Sequence, residues 1–182
     1  MVSMQGTDPS WMLTFTKDIK DLNRPNLGYQ TDKFTIMGLI QNNEDFSLFN
    51  YVVRKAKYEK ILDNLNENMT VFIPSNCHIK NKYPEEFFIN LDYLNAKKIV
   101  MAHIVNKKIT MEMITNSDIQ SLITRHRSGI YKYLYTMLDL DKNIYINDTI
   151  IVEGNMLLQN GIVHVIDNFV FNFPKTINNC VQ

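Results

Sequence analysis

An α+β domain is the fold class this sequence predicts, and three observations predict it. Soon after Phe34, apolar residues recur at helical spacing, at Phe46, Phe49, Val52, Val53 and Ala56. From Ile119 to Phe173 the chain breaks instead into short strand-like runs, separated by Asp-Lys-Asn, Asn-Asp, Glu-Gly and Asn-Gly turns. The helices come first and the meander of strands afterwards, which is the order of an α+β domain. A chain of 182 residues, 45% apolar and 21% charged, is a normal size for one such domain with a substantial core.

The elements follow in order. Residues 1–33 hold Gly6, Pro9, Pro25 and Gly28 with few periodic apolar positions, and read as an irregular leader packed on the domain through Trp11, Leu13 and Phe15. The domain itself spans 34–173, and 174–182 is a short tail. TIMGLI opens the first helix, and Asn43 or Asp45 is placed to cap the second, since a short side-chain oxygen accepts unpaired first-turn N–H groups. MTVFIP, residues 69–74, is a β-branched run stopped by a proline and suits a buried strand. Leu91, Leu94, Ile99 and Ala102 mark a further helix, after which His103-Ile104-Val105 begins a strand. The remaining strands are YKYLYTMLDL, NIYIND, TIIVEG, NMLLQ and GIVHVIDNFVF. Asn160-Gly161, between the last two, signals a hairpin because both residues accept positive φ. No internal repeat or low-complexity segment occurs.

Composition excludes several function classes. Lys+Arg and Asp+Glu balance at 19 each, so no basic excess draws the chain to nucleic acid or an anionic membrane. No run of ~18 or more apolar residues is present, so membrane insertion is not expected. The start, MVSMQGTDPSWMLTFTKD, lacks a basic region followed by an apolar stretch and does not read as a secretory signal. Two cysteines, Cys77 and Cys180, give no disulfide framework and suit a reducing compartment. Two sequons, at Asn68 and Asn147, are candidate glycosylation sites of small weight in an Asn-rich chain. That composition suits an AT-rich genome. With the missing signal, it points to an intracellular parasite or a large virus as the source.

The chemistry-bearing residues give little to build a catalyst from. Along a strand, side chains alternate faces, so Ile162, His164 and Ile166 share one and Val163, Val165 and Asp167 the other. His164 and Asp167 are therefore not an acid–base pair. A histidine among Val and Ile is expected to be a core residue satisfied by a backbone carbonyl, and Asp167, near the strand end, to accept N–H groups in the adjoining turn. There is no Gly-x-Ser-x-Gly elbow for a serine hydrolase. His78 neighbours Cys77, but adjacent side chains on a helix point about 100° apart, a weak nucleophile–base pairing. The four histidines, at 78, 103, 126 and 164, show no i,i+4 pair, and there is no Cys-x-x-Cys, so neither a metal nor a cofactor is expected.

NMTVFIPSN, KKIVMAHIV and NGIVHVIDNFV, in this order, resemble the marks of the fasciclin-type (FAS1) domain: an early strand like TVFAPTN, a central helix ending like YHVV, and a closing NGxxHVIDxVL. The resemblance covers about Phe34 to Phe171. It implies a wedge-shaped β-sandwich flanked by helices, serving adhesion or protein–protein contact without catalysis, and usually displayed outside cells. Pro74, Ser75 and Asn76 match the first motif, His103 the central one, and Asn160, Gly161, His164, Ile166 and Asp167 the last. These positions are read mainly as scaffold, with Ser75 or Asn76 capping the helix that follows Pro74. Ala102-His103 stands where many members have Tyr-His, the pair implicated in integrin adhesion in some animal members. The resemblance therefore does not carry integrin binding over.

Two functional expectations follow. One is a module binding a protein or glycan partner, through the Lys107–Lys108 turn, through His103, or through an exposed patch of Tyr83, Phe87 and Phe88, aromatics that otherwise pack the helix layer. The other is a structural subunit that self-associates within a larger assembly through its leader or a sheet edge. A hydrolase using Ser75 and His103 is a minor third.

Overall fold

The fold turns on one strand, β1 (Met69–Pro74), where the helical first half of the chain meets the strands of the second. The computed structural model describes residues 34–116 and 119–173. The expected leader contacts of Trp11, Leu13 and Phe15, the tail and Cys180 lie outside the described residues. Before β1 come α1 (Ile36–Asn42), a 3-10 turn (Glu44–Phe46), α2 (Ser47–Lys55) and α3 (Glu59–Leu62). After it come α4 (Asn76–Ile79), α5 (Glu85–Ile89), α6 (Tyr93–Ala102), β2 (Ile104–Val105) and α7 (Met111–Asn116). Four strands then follow in chain order: β3 (Ser121–Ile123), β4 (Tyr133–Leu138), β5 (Ile144–Ile146) and β6 (Thr149–Leu158). The last strand is β7 (Gly161–Ile166).

Seven strands form one order, β2-β1-β7-β6-β5-β4-β3. Its two ends nearly meet, because Val105, the last residue of β2, bridges Thr124 just after β3, and Arg125 N–H donates to Ile104 O at 2.7 Å. The two layers of the expected sandwich thus belong to a single, almost closed sheet with helices against it. The α+β class is what is observed. All ladders are antiparallel except β1–β7, which is parallel with Met69 opposite Gly161 and Pro74 opposite Ile166.

Both central strands, β1 and β7, are buried at every position. This fits their near-continuous Val/Ile runs, since a strand covered on both faces has no reason to alternate. Helix α2 buries Phe49, Val52 and Val53 as their spacing predicts, and also Leu48, Asn50 and Tyr51, and it packs on α6. TIIVEG and NMLLQ, read as two strands, are one. β6 runs through Glu153-Gly154 with register shifts on either side rather than turning there. Gly154 is needed for close approach: a Cβ would sit 1.9 Å from Met111 Sδ and 3.1 Å from His164 Nδ1. The hairpin between β6 and β7 is present, with Gln159 and Asn160 at its tip. Only Gly161 of the Asn-Gly pair has positive φ (154°), and a Cβ there would lie 1.9 Å from the Met69 carbonyl oxygen.

Candidate interaction surface and the scaffold behind it

Two buried asparagines hold the helices to the sheet. Asn160 Oδ1 accepts the N–H of Ile36, the first residue of α1, at 2.9 Å, and its Nδ2 donates to Leu62 O at 2.8 Å at the end of α3. Asn76 does the same for α2: Oδ1 accepts Leu48 N–H at 3.0 Å, while Nδ2 donates to Glu44 O and Ser47 Oγ at 2.9 and 2.7 Å. The two amide oxygens satisfy first-turn N–H groups, of Ile36 and Leu48, that have no partner within their own helix. This corrects the expected cap at α4. Ser75 makes no side-chain cap there, and Asn76 caps a helix distant in sequence instead. Asn43 does cap locally, accepting Asp45 N–H at 2.9 Å.

The two motif histidines are wholly buried main-chain staples. His103 Nδ1 donates to Ile99 O at 2.7 Å and Nε2 accepts Val170 N–H at 3.1 Å, with Phe49, Phe169 and Phe173 around the ring. Burial lowers its pKa to about 4, against the opposing pull of the Ile99 carbonyl. His164 Nε2 donates to Ile109 O at 2.7 Å, Nδ1 accepts Asn155 N–H at 3.1 Å, and the ring stacks on Phe72. Burial lowers its pKa as well, opposed by the Ile109 carbonyl and the Glu112 charge. Asp167 accepts Ile150 N–H at 3.0 Å, away from these partners of His164. His164 thus bonds a backbone carbonyl, whereas Asp167 accepts from Ile150 on the neighbouring strand and not from its own adjoining turn.

Several expected contact residues are not at the surface. Tyr83, Phe87 and Phe88 are buried and pack on one another and on Phe169, so they form part of the core and not an exposed patch. The Tyr83 hydroxyl has its pKa raised by that burial. His103 is closed to a partner for the same reason, and its bonds leave no pairing with Ser75. Ser75 Oγ instead lies 2.6 Å from His78 Nδ1 and 3.3 Å from Cys77 Sγ. Lys107 and Lys108 are exposed, their turn pinned where Thr70 Oγ1 donates to Lys107 O at 2.6 Å and accepts Ile109 N–H at 2.8 Å. Of the sequons, Asn68 is exposed ahead of β1. Asn147 turns its amide inward, accepting Tyr135 N–H at 2.8 Å and donating to Val170 O at 2.7 Å.

The surface that stands out lies elsewhere. Register puts Ile123 opposite Tyr133, Ser121 opposite Tyr135, Met137 opposite Tyr145, and Tyr145 opposite Ile150. Directly opposed residues share a face, so these side chains form one band across β3, β4, β5 and β6. Leu122, Leu134, Ile144 and Ile146 point inward and are buried. The outward band is open: Ile123 is 51%, Tyr135 59% and Met137 57% exposed. Tyr133 and Tyr135 lie 6.2 Å apart, and Lys132 Nζ sits 5.1 Å from the Tyr133 ring. Tyr135 and Met137 also border an open groove with Asn147, Asp148, Val170 and Phe171. Alternation in YKYLYTML was the available signal, but which face stays open depends on the closure of the sheet.

The fasciclin domain family model matches residues 44–171. This chain belongs to the fasciclin (FAS1) family. Among solved structures, the FAS1 domain is similar to a FAS1 domain pair from the insect cell adhesion molecule Fasciclin I. The TM-score is 0.62 at 18% identity, covering 76% of this chain and 51% of that one. The chain thus spans about half the length of that domain pair, and the likeness is one of fold. No curated protein sequence matches it. Members of the FAS1 family are generally not enzymes. Among the described residues of this FAS1 domain no group of three or more His, Cys, Asp or Glu side chains is placed to hold a metal ion, and no helix is long and apolar enough to cross a membrane.

Proposed function

We propose that this FAS1 domain is a non-enzymatic adhesion and protein-interaction module that meets a protein or glycan partner through the outer band of β3–β6. The observation that carries the reading is the open band of Ile123, Tyr133, Tyr135 and Met137. The solvent face of an antiparallel sheet is ordinarily polar, and contiguous exposed apolar area of this kind marks interaction sites. Tyrosine offers a broad apolar face with a polar edge, which suits a protein or a sugar. The solved FAS1 pair, from a cell adhesion molecule, supports the same general role. The test is retention of labelled protein on immobilised extracellular-matrix proteins and glycans, comparing wild type, Tyr135→Ser/Met137→Ser and Lys107→Ala/Lys108→Ala. Loss in the tyrosine–methionine variant alone supports the band. Loss in the lysine variant alone moves the site to the 107–108 turn.

Self-association as a structural subunit is the second reading. Besides the band, the fully exposed Leu140 and the half-exposed Leu138, which lies on the other face of β4, add apolar side chains at the end of that strand. Sedimentation velocity separates the two: mass that rises with concentration and falls back in the band variant favours the subunit.

A further inference from the structure

Ser75, Cys77 and His78 form a cluster that the adhesion reading does not use. Neighbours on a helix diverge, yet here Cys77 Sγ and His78 Nδ1 lie 3.5 Å apart, because both side chains fold over the Ser75 hydroxyl. Ser75 Oγ is 2.6 Å from Nδ1 and 3.3 Å from Sγ, so it lies within hydrogen-bond reach of both. Ser75 is buried while Cys77 is exposed, which leaves the sulfur reachable and its hydrogen-bond partner fixed. Asp45 lies close by, its pKa raised by burial against the opposing charges of His78 and Lys80. A nucleophile within reach of a base, directly or through a hydroxyl, is the arrangement that activates a side chain. The matched early motif ends at Asn76, so Cys77 and His78 lie just beyond it.

We propose that Cys77 is a reactive thiol and a modification site for small disulfides, with Ser75 and His78 as its proton relay. The Sγ–H proton passes to Ser75 Oγ as the hydroxyl proton moves to His78 Nδ1. The thiolate then attacks one sulfur of a small disulfide. A Cys77 S–S bond forms, the original S–S bond breaks, and the departing thiolate takes up the proton held on His78. Cys77 is oxidised to the mixed disulfide and the small disulfide is reduced to one thiol. Ser75 and His78 act as positioning residues and never bond to the disulfide.

The test uses the full chain carrying Cys180→Ser and glutathione disulfide as probe, with mixed-disulfide formation followed by intact mass at neutral pH. Folded protein is expected to react at least about tenfold faster than the same chain unfolded in urea. His78→Ala, at a partly exposed position, is expected to remove that advantage without changing the melting temperature, and free imidazole to restore part of it. Ser75→Ala is expected to slow the folded rate as well. If that variant fails to fold, His78→Ala decides alone. A folded rate no greater than the unfolded one, or a rate unmoved by His78→Ala, overturns the proposal.

Discussion

Strands β7 and β4 are each six residues long and sit in the same sheet, yet they use their side chains in opposite ways. In β7 every residue is buried, and the one polar ring, His164, spends both nitrogens on backbone groups. In β4 one face is core, through Leu134, and the other presents Tyr133, Tyr135 and Met137 to solvent. The strand with the family's motif is scaffold, and the strand without one offers the surface. Motif residues that look chemical, a histidine and an aspartate in an apolar run, are where polar groups must be satisfied because no water reaches them.

That contrast can be broken most severely at Gly161. Gly161→Ala drives a Cβ into the Met69 carbonyl where β7 meets β1, and no folded protein is expected by circular dichroism. Folded, cooperatively melting Gly161→Ala would mean that this junction gives way easily. Acid comes next. His103 has its pKa lowered to about 4 when folded, so between that value and the unfolded 6.5 the unfolded chain binds the extra proton. Stability from this residue is full above pH 6.5 and is lost as pH falls toward 4, by roughly 3 kcal/mol at most. Denaturant melts at pH 7 and pH 4.5 check it, and His103→Gln should flatten the dependence. His164→Ala leaves Ile109 O and Asn155 N–H without their partner, for a loss of about 1–3 kcal/mol by denaturant melt. Unchanged melting with lost partner binding would reverse the roles assigned to the two strands. The smallest effect on stability belongs to Tyr135→Ser/Met137→Ser, expected within about 0.5 kcal/mol of wild type because both side chains face solvent.

Much of the scaffold was legible where local physics decides it. MTVFIP is β1 to the residue, because β-branched residues and a terminal proline define a strand without outside help. The helical spacing of Phe49, Val52 and Val53 fixed the buried face of α2. What failed was decided across distance. Parallel pairing of β1 with β7 joins residues far apart in the chain, and two apolar runs do not announce their register. Glu153-Gly154 resembled a turn, although Gly154 is there to admit Met111 and His164. Ser75 is a plausible cap by type, yet its hydroxyl faces His78, and Asn76 caps a helix that begins far upstream. Tyr83, Phe87 and Phe88 could have been surface or core by composition, and Phe169 against them settles it. The outer band of β3–β6 needed the register of four strands before its members became neighbours.

The central claim is that binding and folding are carried by different strands. Its most direct test measures melting and ligand retention together on matrix proteins and glycans, for Tyr135→Ser/Met137→Ser beside His164→Ala. The expected result is a band variant that melts like wild type and is no longer retained, next to a His164 variant that melts earlier and, below its transition, is still retained. A band variant retained as well as wild type, with His164→Ala folded but not retained, would contradict the account.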